Sequence, residues 1–385
     1  MTSNGIRDLT DEQARAALPL KWGAVEEGVL PAWVAEMDYH PAEPIEEALV
    51  AAVRRGSLGY APFGSGGLGE AFAGFAERHW GWTVPPEAVL PTSGVMTGVR
   101  LALEALCPPG PVVVPLPCYP PFRDAVAVTG RELVPVTLDP DADEATLDLD
   151  AIEAAFAAGA RTFLLCSPHN PLGRVWTRDE LTALAELAGR YDARVVADEI
   201  HAPLVLPGAT FTPYLTVDER AIVVTSASKS FNIPAVHGAQ LVLLDPADRE
   251  AFARLPIPAQ HDWSSLGIVA GVAAWRDCDD WHAALLGRLA AQRDLLADLL
   301  AEHLPRARMR PLEATYLAWL DLRAYAADPA AVALAHGVRL APGADYQPGL
   351  DGHVRLNLAT SPERLRRIVH RVATALTSEA SSLEE

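Results

Sequence analysis

The sequence predicts an α/β protein: a large domain with a mainly parallel sheet flanked by helices, and a smaller α+β domain. Three observations carry this expectation. Between about residues 86 and 245, short β-branched runs alternate with helical stretches, the order that builds a parallel sheet from strand–helix units. From about residue 279 a long helical pattern is followed by two strand-like pieces and a last helix. The opening 45 residues show few periodic positions, as expected of an arm packed on another part of the molecule. The expected division is an arm contributing to the small domain (1–45), a large domain (46–278) and a C-terminal small domain (279–385).

In chain order, the arm contains "GVLPAWVAEMDYHP", and two tryptophans fall in this opening segment. "GSGGLG" at Gly64–Gly69 has the letters of a dinucleotide fingerprint, but no convincing strand precedes it and no acidic residue ends a second strand some 20 positions on. It reads as a loop leading into a helix with Phe72 and Phe75. The strand candidates are Val89–Thr92, Val112–Pro115, Leu133–Thr137, Thr162–Ser167, Arg194–Asp198, Ala221–Ser226 and Gln240–Leu244. Helical patterns lie between them: Asp150–Ala158, closed by Gly159, and one opened by Thr177-Arg-Asp-Glu180 with capping-box spacing. Asp280–His303 reads as a long helix, "ATYLAWLDL" and "GHVRLNLA" as strands, and a final helix begins near Pro362.

Half the 385 residues are apolar and 21% are charged, the balance of a globular protein with a substantial core. A net charge of −19 argues against nucleic acid or an anionic membrane as the main partner. No uninterrupted apolar stretch approaches membrane-spanning length, and the N-terminus lacks a signal-peptide pattern. The four cysteines form no CxxC pair, and the eleven histidines form no HExxH pattern. Free thiols in a cytoplasmic protein without a metal site are the expectation.

In an open α/β sheet, ligands bind at the carboxyl ends of the strands. Four features gather there. Asn170 follows a buried strand in "TFLLCSPHNPLGR"; Asp198 ends "RVVADEIHAPL"; Ser226 and Lys229 end "AIVVTSASKS"; and Ser93-Gly94 opens a helix after "VLPT". Each has a plain alternative, respectively turn chemistry, a cap, a strand-end charge and an ordinary helix start. Together they are the parts pyridoxal 5'-phosphate requires: a desolvated amine, an acid for the pyridine nitrogen and a helix N-terminus for the phosphate.

The sequence resembles the fold-type I pyridoxal-phosphate enzymes of the aminotransferase class I and II superfamily. Within them it is similar to the branch of cystathionine β-lyases and cysteine-S-conjugate β-lyases. "LPAWVAEMDY", "GYAPFG", "PCYPPF", "SPHNPLGRVWTRDEL", "ADEIHAPLVL", "SKSFNIPA" and "VRLNLA" carry the resemblance along nearly the whole chain. By position it implies that Lys229 is the Schiff-base lysine and acid/base, Asp198 pairs with the pyridine nitrogen, Asn170 bonds the ring's phenolic oxygen and Tyr119 stacks on the ring. Gly94, Val95 and Ser226 would hold the phosphate, with Tyr60 reaching in from the neighbouring subunit of a homodimer. Arg355 would bind the substrate carboxylate. Two positions depart from common transaminases: His237 where an arginine often binds phosphate, and His201, expected among the cofactor-binding residues, where a tyrosine is frequent.

The implied reaction is α,β-elimination of cystathionine or a related cysteine S-conjugate to thiol, pyruvate and ammonia. Two alternatives stay open: an aminotransferase using a 2-oxo acid, and a pyridoxal-phosphate-binding regulator without turnover.

Overall fold

A computed structural model describes residues 5–61 and 63–383, with side chains described as far as Glu379. Two sheets organise it. The larger contains β2 (Val89–Thr92), β3 (Val112–Leu116), β4 (Leu133–Thr137), β5 (Thr162–Cys166), β6 (Arg194–Asp198), β7 (Ile222–Thr225) and β8 (Ala239–Val242), in the order β2-β8-β7-β6-β5-β3-β4. Only β8 runs against its neighbours. The smaller sheet has the order β1-β11-β12-β10-β9, from β1 (Leu30–Ala32), β9 (Arg308–Met309), β10 (Leu317–Asp321), β11 (Val338–Pro342) and β12 (His353–Asn357).

The large sheet is covered on both faces. Phe163, Leu165, Val195, Ala197 and Val223 enter one core, while Leu164, Cys166, Val196, Ile222 and Val224 enter another. Side chains alternate across a strand, so two apolar faces give continuous apolar runs, the pattern visible in the sequence. On one face the helix Val95–Leu101 lies close enough that a Cβ on Gly98 would come within 2.6 Å of Val224. The helix Arg178–Arg190 opens with the expected capping box: Thr177 Oγ1 accepts from Glu180 N–H, and Glu180 Oε2 accepts from Thr177 N–H.

The "GSGGLG" run is a loop with Gly64, Gly66 and Gly67 at positive φ, ending at the helix Leu68–Trp80. The first 45 residues hold more regular structure than their periodicity suggests. They contain the helix Asp11–Ala17 and strand β1, which pairs in parallel with β11 and so makes the N-terminal segment part of the small sheet. Three buried residues in a row show no alternation to read. The arm is pinned by a buried ion network: Lys21 and Arg364 both bond Asp38, at 2.9 and 3.2 Å.

Register sets the site. Cys166 lies opposite Asp198, and Asp198 opposite Val224. The turns after β5, β6 and β7 therefore emerge side by side at one sheet edge.

Candidate active site

A cavity of about 240 Å³ opens at that edge. Lys229, on the turn after β7, is partly exposed to it, and its Nζ donates to the Ala35 carbonyl at 3.0 Å. Burial brings the amine down to about 8; nearby Arg355 adds to the effect, and Glu36 and Asp198 oppose it. A lysine so placed has a far larger neutral fraction near neutral pH than a surface lysine.

Asp198 closes β6, only 3% exposed. Burial pushes its carboxyl up to about 7, against a hydrogen bond from the Ile200 N–H (3.0 Å) and the charge of Lys229. A cationic ring nitrogen would add to the Lys229 charge in favouring the carboxylate. His201 is buried with Nδ1 unpaired. Burial, assisted by Lys229 and Arg355, takes it down to about 3, so the imidazole is neutral across the physiological range. The Cys166 thiol donates to the Pro168 carbonyl at 3.3 Å and is pushed well above its ordinary value by burial, which keeps it protonated and non-nucleophilic.

Asn170 and Arg355 join the two sheets. Asn170 Oδ1 accepts from Arg355 Nη1 at 3.0 Å, and Arg355 Nη2 donates to the Trp33 carbonyl at 2.8 Å. The guanidinium lies 5.0 Å from the Tyr346 ring centroid, and its buried Nε–H is unpaired. An unpaired buried donor on a cation suits an incoming carboxylate.

At the other end, Gly94 is the N-cap of the helix Val95–Leu101, and no side chain caps it. Its first N–H groups are oriented for an anion. Ser226 Oγ donates to the Gly238 carbonyl at 2.6 Å and accepts from Ser228 N–H. His237 also lines the cavity, exposed and in the left-handed conformation (φ 50°). Its backbone packs on the helix Ser265–Asp277 so closely that a Cβ on Gly267 would come within 2.5 Å of the His237 carbonyl. The donor set (an amine, a buried acid, an amide, the Tyr119 ring and a bare helix start) fits pyridoxal phosphate.

Of the site residues expected from the sequence, Gly94, Val95, Tyr119, Asn170, Asp198, His201, Ser226 and Lys229 line this one cavity, and Arg355 reaches it through Asn170. Tyr60 does not. It is fully exposed, in a separate surface depression with Leu58, His261 and Trp263. The sequence reading missed Ala35 and Trp33, which act through backbone carbonyls and carry no residue-type signal, and Tyr316, which donates to the Ala35 carbonyl at 3.1 Å. One cluster of metal-ligand type exists among the described residues: Asp141, Asp321 and His353. Arg323 bonds both carboxylates at 2.8 Å and offsets their charge.

The model of the family described as aminotransferase class I and II matches residues 23–372. The chain belongs to this family. Two curated relatives of this family member are the cystathionine beta-lyase of Corynebacterium glutamicum, 37% identical over 95% of this chain and 98% of its own, and the cystathionine beta-lyase PatB of Bacillus subtilis (strain 168), 34% identical over 93% and 97%. The crystal structure of cystalysin from Treponema denticola, which contains pyridoxal 5'-phosphate, superposes with a TM-score of 0.89 at 25% identity, covering 97% of this chain and 99% of that one. The family member thus has the fold of fold-type I pyridoxal-phosphate-dependent enzymes. No helix among its described residues is long and apolar enough to cross a membrane.

Proposed function

We propose that the protein is a pyridoxal-phosphate-dependent carbon–sulfur β-lyase that converts cystathionine or a related cysteine S-conjugate, with water, into a thiol, pyruvate and ammonia. The observation that carries this reading is the convergence of Lys229, Asp198 and the Asn170–Arg355 pair on one cavity, in a chain whose curated relatives include cystathionine β-lyases.

The cofactor, when bound, supplies an electron-withdrawing ring that takes up the charge left when the substrate's Cα proton departs. The chain supplies the rest. Arg355 grips the substrate carboxylate with its planar fork. Lys229 holds the cofactor between turnovers and, once released, removes the Cα proton at Nζ. Asp198 would keep a proton on the pyridine nitrogen, Asn170 would bond the ring oxygen and Tyr119 would pack on the ring. Gly94, Val95 and Ser226 would hold the phosphate, and neutral His201 lines the same cavity as Asp198. Apolar Val95, Met96, Ile200 and Pro234 line the cavity and limit water around the leaving sulfur. In this reading Tyr60 completes the phosphate seat of the partner subunit in a cytoplasmic homodimer. Residues 46–278 form the cofactor domain, and residues 1–45 and 279–385 form the part that closes over the substrate.

The test is product analysis with cystathionine and no added keto acid. The expected result is pyruvate, ammonia and thiol in equal amounts. Turnover that demands a keto acid and returns its amino acid identifies an aminotransferase, and cofactor binding without turnover on any amino acid identifies a regulator.

A further inference from the structure

The segment Trp33–Tyr39 crosses beside the cavity as a strap held through its carbonyls. Asn357 Nδ2 donates to the carbonyls of Val34 and Glu36, at 2.7 Å each. Lys21 adds a bond to Glu36 at 2.9 Å, and Asn232 takes those of Met37 (2.9 Å) and Tyr39 (3.2 Å). Between these fixed points lies the Ala35 carbonyl, which accepts from two side chains: Lys229 Nζ at 3.0 Å and the Tyr316 hydroxyl at 3.1 Å.

Those two donors differ in what they do. Tyr316 is 1% exposed, and burial pushes its phenol far above the ordinary value, with Arg355 opposing, so the hydroxyl remains a donor. Lys229 must leave the carbonyl to react. A carbonyl has two lone pairs, and an acceptor abandoned in a buried site is costly. With Tyr316 in place the carbonyl keeps a partner when the amine departs. A neutral amine donating one N–H to Ala35 keeps its lone pair off the carbonyl oxygen.

We propose that the Ala35 carbonyl is the resting acceptor of the Lys229 amine whenever that amine is not bonded to cofactor, and that Tyr316 is the positioning residue that makes this rest reversible. The proposal rests on Lys229 being the attachment residue.

Tyr316→Phe leaves the carbonyl with Lys229 as its one side-chain donor, so the amine is held longer. In cofactor-free Tyr316→Phe protein, the growth of yellow absorbance on mixing with saturating pyridoxal phosphate is slowed about tenfold. With amino-acid substrate, kcat falls while KM stays within about twofold, because Arg355 and Asn170 are untouched. A readout independent of turnover comes from cofactor-free protein labelled with [ε-13C]lysine, which has just two lysine residues to resolve. The Lys229 signal titrates at higher pH in the variant, since the freed lone pair favours the ammonium. The other groups facing the amine, Arg355, Glu36, Asp198 and His201, are not altered by the substitution. Tyr316→Met serves the same comparison if the phenylalanine variant does not fold. A variant whose attachment rate and lysine titration match the wild type overturns this proposal alone. A wild type that carries its cofactor on another residue overturns the assignment beneath it as well.

Discussion

Lys21 and Lys229 donate to the adjacent carbonyls of Glu36 and Ala35, at 2.9 and 3.0 Å, and they are the only lysines in the sequence. Lys21 is wholly buried and bonded to Asp38, whereas Lys229 is partly exposed to the cavity. Borohydride reduction of the yellow protein should therefore label one side chain, Lys229, against an almost blank background. Lys229→Ala should stay colourless after the same treatment. Peptide mapping that finds the label on Lys21 would disprove the assignment.

Arg355 donates to both Asn170 and Trp33, which fixes its fork beside the cavity-lining Asn170. Arg355→Lys keeps a charge but loses planarity and donors. KM for the amino acid should rise roughly ten- to a hundredfold, the scale of one charge-assisted hydrogen bond, with cofactor content unchanged. An unchanged KM in steady-state kinetics would move the carboxylate site elsewhere.

Asp198 predicts a pH dependence in the cofactor-free protein. Its folded value of about 7 lies above the ordinary 3.8, so between those values the folded state binds the extra proton. The stability this group contributes is full below the lower value and is lost as pH rises through the upper one. Asp198→Asn should remove that part of the decline, gaining relative to wild type by a few kcal/mol between about pH 4 and about pH 8 in urea unfolding. In the loaded enzyme the same change should retain much of the cofactor and cost most of the turnover. Equal pH slopes in the two cofactor-free proteins would show that the carboxyl is ionised throughout.

Tyr60 is fully exposed and outside the cavity of its own chain. Mixed Tyr60→Ala and Lys229→Ala subunits should regain activity approaching roughly a quarter of wild-type sites, as a symmetric dimer with shared sites would give. A fully active monomer by sedimentation would exclude shared sites.

Much of the large sheet was legible because its strands are apolar on both faces and end in turn residues. All seven strands lie within a residue or two of expectation, and register brings their ends together as the strand-end rule requires. What stayed hidden is the part made by backbone. Strand β1 is three residues long, and the Ala35 carbonyl would look the same beneath almost any side chain. The Arg355–Asn170 bond joins residues 185 positions apart, and no local pattern encodes it. Residue types could single out Lys229 and Asp198, which line the cavity, but not the Ala35 carbonyl to which the amine donates.

The contact between Gly238 and Gly267 restricts how this enzyme can diversify. A Cβ on Gly238 would come within 2.9 Å of the Gly267 carbonyl, and one on Gly267 within 2.5 Å of the His237 carbonyl. Neither position accepts a side chain without displacing backbone, so single substitutions there cost folding before they can alter selectivity. Met96 and Pro234 line the cavity together with Gly238. A laboratory library aimed at this cavity can vary lining side chains such as Met96, while the glycine pair acts as a fixed boundary of the searchable sequence space.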